Sequence, residues 1–275
     1  MKYLLTIGII FLCFASNGQP MQKNKLPATS EMVLQVKQFA QFIERFNYTK
    51  TPDDKPIDDN FKNKISRPEY IMLLFNETDP RIDSTQPKYN SHYRVLRREF
   101  IKKVCADNLG ITPEMKDVYS VAKCVGEYKN TQVAYSVVLR KNVLDNGASE
   151  WIIHKINADF LLPKQMNEQR TIPPNAGETG FMKLADAFSD KDNLSSYFGG
   201  TDPWDATSIF LYEIHRGAIK HKFSKEVTYY IFAIPDWVVV VKNFQRNTTN
   251  SGWLIDDVLP ISKTEINNFI DDNLK

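Results

Sequence analysis

The chain has 275 residues, of which 42% are hydrophobic, 25% charged and 12% aromatic, and its formal net charge is +2. That is enough apolar material for one large core or two ordinary ones. The near-neutral balance gives no support for a nucleic-acid binder, which usually shows a strongly basic face, and none is expected as a partner.

The first 18 residues read as a secretory signal. Lys2 supplies the positive start, Tyr3 to Phe14 the apolar stretch, and Ala15-Ser16-Asn17-Gly18 the small residues before a cleavage point. Attachment of a lipid at Cys13 is disfavoured, because bulky Phe11 and Leu12 precede it. No later stretch is apolar enough to span a membrane. The expected product is periplasmic or extracellular, with residues 19–29 as a polar leader.

Ser30 can cap a helix whose apolar stripe is Met32, Val36, Phe39, Ile43 and Phe46. Residues 47–64 read as an acidic surface loop; the spacing of Asp53, Asp54, Asp58 and Asp59 does not match a calcium-binding loop. Ser66-Arg67-Pro68-Glu69 has the form of a capping box. The strongest helix runs from about Lys88 to Asp107, with Tyr89, Tyr93, Leu96, Phe100 and Val104 on one face. Arg94, Arg98 and Lys102 fall opposite, as a solvated row or as a contact for an anionic partner. Three strands follow, at Val118–Tyr128, Val133–Asn142 and Glu150–Ile156, with Asn130 and Asn146-Gly147 at their turns.

Pro163, Pro173, Pro174 and Gly177 then interrupt the pattern, which places a linker at 164–177. Beyond it, Phe181, Leu184, Ala185 and Phe188 share a helical face. Residues 207–223 suit either a helix or a strand, and the order of the first half favours a helix. Strands are expected at Val227–Ile234, Trp237–Gln245 and Gly252–Leu259. Ser262-Lys263-Thr264-Glu265 opens a last helix. The expected fold is α+β in two tandem domains, 30–163 and 178–275, each with helices packed on a curved antiparallel sheet.

One stretch occurs twice. Val137 to Asn142 followed by Ser149-Glu150-Trp151-Ile152-Ile153-His154 matches Val238 to Asn243 followed by Ser251-Gly252-Trp253-Leu254-Ile255-Asp256. The tryptophans lie 253 − 151 = 102 positions apart. These residues give the chain a resemblance to the cone-shaped folds grouped as nuclear-transport-factor-2-like or cystatin-like, which include ketosteroid isomerase. The resemblance implies a pocket between each curved sheet and its helices. It implies no particular activity, because that group holds enzymes, ligand binders and scaffolds.

Candidate site residues follow from chemistry. Asp256 and His154 occupy equivalent mid-strand positions between apolar neighbours, where burial tunes a titratable group; Asp256 is the candidate acid of an isomerase- or hydratase-like enzyme. Trp204, Trp237 and Tyr229, with Tyr230, are candidates for an apolar pocket or a carbohydrate platform. Arg94 and Arg98 are candidates for an anionic partner. Cys105 and Cys124 either pair in an oxidising compartment or remain buried thiols. His92, His215 and His221 lack metal-ligand spacing, and no Gly-x-Ser-x-Gly, His-Glu-x-x-His or phosphate-binding glycine loop occurs. The expectation is therefore an exported, non-catalytic protein without cofactor, binding a small molecule, a glycan or an envelope protein. The alternatives are the enzyme just described and a structural or assembly module.

Overall fold

The computed structural model describes residues 33–112, 114–162, 188–189, 205–247 and 249–275. The expected signal segment, the linker and Trp204 lie outside them. Residues 33–275 form one compact unit.

The fold is α+β. Seven strands form one mixed sheet in the order β1-β7-β6-β5-β2-β3-β4. They are β1 (Gln35–Val36), β2 (Val118–Tyr128), β3 (Thr131–Val143), β4 (Ser149–Asn157), β5 (Ile219–Ile231), β6 (Trp237–Phe244) and β7 (Ser251–Pro260). Among these seven strands, β1 pairs with β7 in parallel and the other neighbours pair antiparallel. The described helices are α1 (Phe39–Phe46), α2 (Asp59–Lys64), α3 (Arg67–Leu73), α4 (Ser91–Ala106), α5 (Ala206–His215) and α6 (Ile266–Asn273).

Two meanders, β2–β4 and β5–β7, appear as expected. They do not form two separate sheets. β2 pairs antiparallel with β5 from Val118↔Ile231 to Tyr128↔Ile219, joining both meanders edge to edge. The extra length of β5 makes this junction. Its first residues fall in the stretch read as helical, and the break is chemical: α5 ends at His215, and Gly217 follows with φ +75°, a left-handed position that suits glycine.

The helices cross between the halves. α1, α3 and α4, from the first half, cover β6 and β7 of the second. Phe42, Phe46, Phe75, Phe100 and Trp237 form a chain of ring contacts from α1 through α4 to β6. On the opposite face, Ile270 and Leu274 at the C-terminus pack with Tyr119, Val121 and Val138 of the first meander and Val238 and Val240 of β6. β6 is thus buried on both faces, which is why it reads Trp-Val-Val-Val-Val rather than alternating. α5 returns to the first meander, where Phe210 packs with Cys124, Tyr135 and Ile156.

Local chemistry sets several boundaries. The Ser66 amide and hydroxyl both donate to Glu69 at the start of α3, and Ser262 repeats this with Glu265 before α6. α2 corrects the reading of 47–64 as a loop throughout: the Asp58 carboxylate accepts the Phe61 amide and caps it. β1 corrects the helix expected from Met32. Gln35 and Val36 are extended because they pair with Ser251 and Gly252 along the edge of β7. On α4, Tyr93, Phe100 and Val104 are buried as expected and Arg97 is enclosed, whereas Tyr89 precedes the helix and is exposed. No helix among the described residues is long and apolar enough to cross a membrane.

Candidate functional site

The two repeated strands each carry a β-bulge, and the extra residue is the polar one. In β4, Val138 faces Lys155 and Leu139 faces Ile153, leaving His154 without a partner in the ladder. In β7, Val240 faces Asp257 and Val241 faces Ile255, leaving Asp256. A bulge kinks its strand and re-aims a side chain, so these polar residues interrupt apolar runs without needing a pocket. His154 is exposed and meets the Tyr119 ring edge-on at 5.5 Å.

Asp256 is not a lone carboxylate in an apolar site. Its Oδ2 lies 2.9 Å from Lys242 Nζ. Burial, the largest single influence, would lower the pKa of the Lys242 ammonium, but the hydrogen bond and charge of Asp256, with Glu226 and Tyr230, together raise it. The Asp256 carbonyl accepts from Arg81 Nη2 at 2.6 Å and from the Tyr93 hydroxyl at 3.0 Å. Arg81 also binds Asp79 side-on through Nε and Nη2, donates through Nη1 to Asp257 at 2.9 Å, and stacks 3.8 Å above the Tyr93 ring. These groups take over where β1 and Phe75 stop pairing with β7. They satisfy the edge of the sheet with side chains.

The other candidates disperse. Trp237 is buried against Phe100, a core position rather than a platform. Tyr230 lies on the opposite face of the sheet, against Phe269 of α6. Arg94 and Arg98 are exposed on α4. Cys105 and Cys124 are both free thiols; Cys105 lies in the last turn of α4, and Cys124 sits within β2 beside Ser224 at 3.3 Å. His215 closes α5 and His221 lies on β5, where its Nδ1 is 2.7 Å from the Tyr135 hydroxyl. No group of three metal-ligating side chains occurs among the described residues.

Tyr229 is the candidate that acquires company. Phe39, the first residue of α1, stacks on it at 3.8 Å between centroids, with the planes 18° apart. Trp253 of β7 approaches to 4.9 Å and Trp151 of β4 to 5.8 Å. The two tryptophans of the repeat therefore converge on one tyrosine. β4 and β5 are separated by β2 and β3, which in a flat sheet would hold them about 14 Å apart. Bulges curl this sheet, and the long rings lean across its face.

All four rings are only partly covered. Trp151 keeps 41% of its surface exposed, and Ile153 beside it keeps 56%. Around Tyr229 the ladder places Ser120 of β2 and Val241 of β6; Asn243 pairs with Trp253 and Lys141 with Trp151. Burial raises the Tyr229 phenol, so it stays neutral at physiological pH. An amphipathic ring face with polar neighbours suits a flat ligand that carries hydroxyl or amide groups.

The tryptophans had a signal in the sequence, because the repeat singles them out. Their convergence had none, since it depends on the curl of the sheet. Comparisons with protein-family models, with curated proteins and with solved structures found no match.

Proposed function

We propose that the protein is an exported, non-catalytic binding protein, and that it takes a glycan through stacking on Trp151, Tyr229 and Trp253. The observation that carries this reading is the meeting of both repeat tryptophans on Tyr229, with Trp151 left open to solvent. A sugar ring presents an apolar face to such aromatics and hydroxyls to polar neighbours. Export rests on the charged, apolar and small-residue order of residues 2–18. The repeated strand pair, bulged at His154 and Asp256, is read as two copies of one ancestral plan of the nuclear-transport-factor-2-like kind.

Against the isomerase- or hydratase-like alternative stands the pairing of Asp256 with Lys242, which leaves no free acid in an apolar pocket at that position. The test is intrinsic tryptophan fluorescence of the mature chain titrated with cellotetraose and chitotetraose. A saturable change is expected with one of them, and Trp151→Ala should weaken it roughly five- to tenfold, at about 1 kcal/mol for one stacked ring. Trp237→Phe, in the core, should leave it in place. No change with either oligosaccharide, or an undiminished one in Trp151→Ala, overturns the proposal.

A further inference from the structure

Two arginines of the α1–α4 layer, Arg45 and Arg97, are buried and a third, Arg81, is partly buried, and the three are treated differently. Arg45 is fully buried and donates to the carbonyls of Gln41 and Pro52 and to Asp54 at 2.8 Å. Arg81 holds two aspartates and a carbonyl. Arg97, only 8% exposed, has no oxygen partner among the described residues. Its Nη2 donates to the Met72 sulfur at 3.2 Å, its Nε has no acceptor, and its guanidinium lies over the Phe75 ring at 4.5 Å. Arg45 and Arg67 also leave Nε without a partner, but each places its terminal nitrogens on oxygen.

The Asp79 charge reaches Arg97 without a hydrogen bond and does not offset its burial, and a buried guanidinium with no anion bonded to it is costly. The Nε–Nη2 edge is the fork that takes a carboxylate side-on. Arg81 uses that same edge on Asp79. In Arg97 it meets only a thioether, and a sulfur is a weak acceptor. Asp79 cannot serve both arginines side-on, because its oxygens already bind Arg81. Met72 itself is 36% exposed, and its unbranched side chain can swing aside at small cost.

We infer that Arg97 anchors a second binding site, where α3 packs on α4 and the Met72 side chain covers the guanidinium, for a carboxylate carried on a small apolar body. The guanidinium takes both carboxylate oxygens through Nε and Nη2. The apolar body lies along Phe75 and the displaced Met72 side chain. Exposed Arg94, one turn earlier on α4, adds positive potential at the entrance. This site is independent of the aromatic platform on the sheet, and it stands or falls separately.

The experiment uses thermal unfolding of the mature chain at constant ionic strength. The probes are benzoate, with benzyl alcohol and inorganic phosphate as controls. Benzoate is expected to raise Tm saturably, and the two controls are not. Arg97→Met should fold, with circular dichroism like that of the parent and a Tm no lower than the parent's without benzoate, because it removes an unpaired buried charge. It should lose the benzoate shift entirely. Arg97→Lys keeps the charge but lacks the fork, and should lose most of the shift. An absent shift in the parent, an equal shift with phosphate, or an undiminished shift in Arg97→Met overturns the inference.

Discussion

Asp256 and Asp257 are sequence neighbours with opposite settings. Asp256 answers a single lysine at the bulge, while Asp257 turns to Arg81, which is already committed to Asp79. Burial pushes the Asp257 carboxyl above its usual value, and Arg81 only partly counters it. The folded state therefore binds this proton more readily than the unfolded chain does. Its contribution to stability falls as pH rises from the ordinary carboxylate value, about 4, through the raised folded value. The capping carboxylates Glu69 and Glu265 have the opposite sign. Hydrogen bonds from Ser66 and Ser262 hold them low, so their contribution is present above the unfolded value and is lost as pH falls through the folded one. Asp257→Asn should isolate the first effect. The stability of the parent relative to this variant, from urea unfolding at a series of pH values, should decline as pH rises through that window. A difference that grows with pH would show that Arg81 outweighs burial.

At the scale of elements, β1 is the least self-sufficient piece, with two residues tied to the edge of β7. Gly252 makes the approach possible. It has φ +87°, and a Cβ there would collide with the Val36 carbonyl oxygen. Gly252→Ala should cost roughly 2–3 kcal/mol through overpacking and backbone strain, read as a lower urea midpoint. A loss within a few tenths would mean that β1 detaches freely. This residue also marks how far the sequence could be read. Strands β2 and β6 were legible from their valines, β7 from its Trp253-Leu254-Ile255 run, and α3 from its capping box, because those signals are local. Gln35-Val36 read as helix because Val36, Phe39, Ile43 and Phe46 keep helical spacing; the pairing that overrides it lies 216 residues away, at Ser251 and Gly252. Arg81 and Arg97 escaped notice for a related reason. On sequence they belong to a loop and to a helix, and only the fold brings them to Asp257 and Phe75. Tyr229 and Trp237 were singled out together as aromatics, and the fold separates them: Tyr229 meets Trp253, while Trp237 is buried against Phe100. Propensity does not distinguish a ring that faces solvent from one that faces a helix.

For the whole molecule, the question is whether two halves can exist apart. Each half carries helices that cover strands of the other. Phe75 of the first half bridges to Ile255 of the second, and Phe100 packs on Trp237. In return, Leu274 packs among Tyr119 and Val138, and its carbonyl accepts from Asn157. The β2–β5 ladder then adds a long row of backbone hydrogen bonds across the same boundary. Separation would expose the Val-rich face of β6 and leave β2 and β5 as open edges, which is the surface that drives aggregation. A protease site engineered between residues 164 and 177, once cut, should therefore leave both fragments in one particle by size exclusion. Calorimetry of the cut protein should show one transition, at a lower Tm because the unfolded chains gain freedom. Either half expressed alone should fail to give the dispersed, cooperative spectrum of a folded domain. Fragments that part in native buffer, or two resolved transitions in the intact chain, would mean that the ladder and the crossed helices contribute little. The sequence repeat would then mark two autonomous domains.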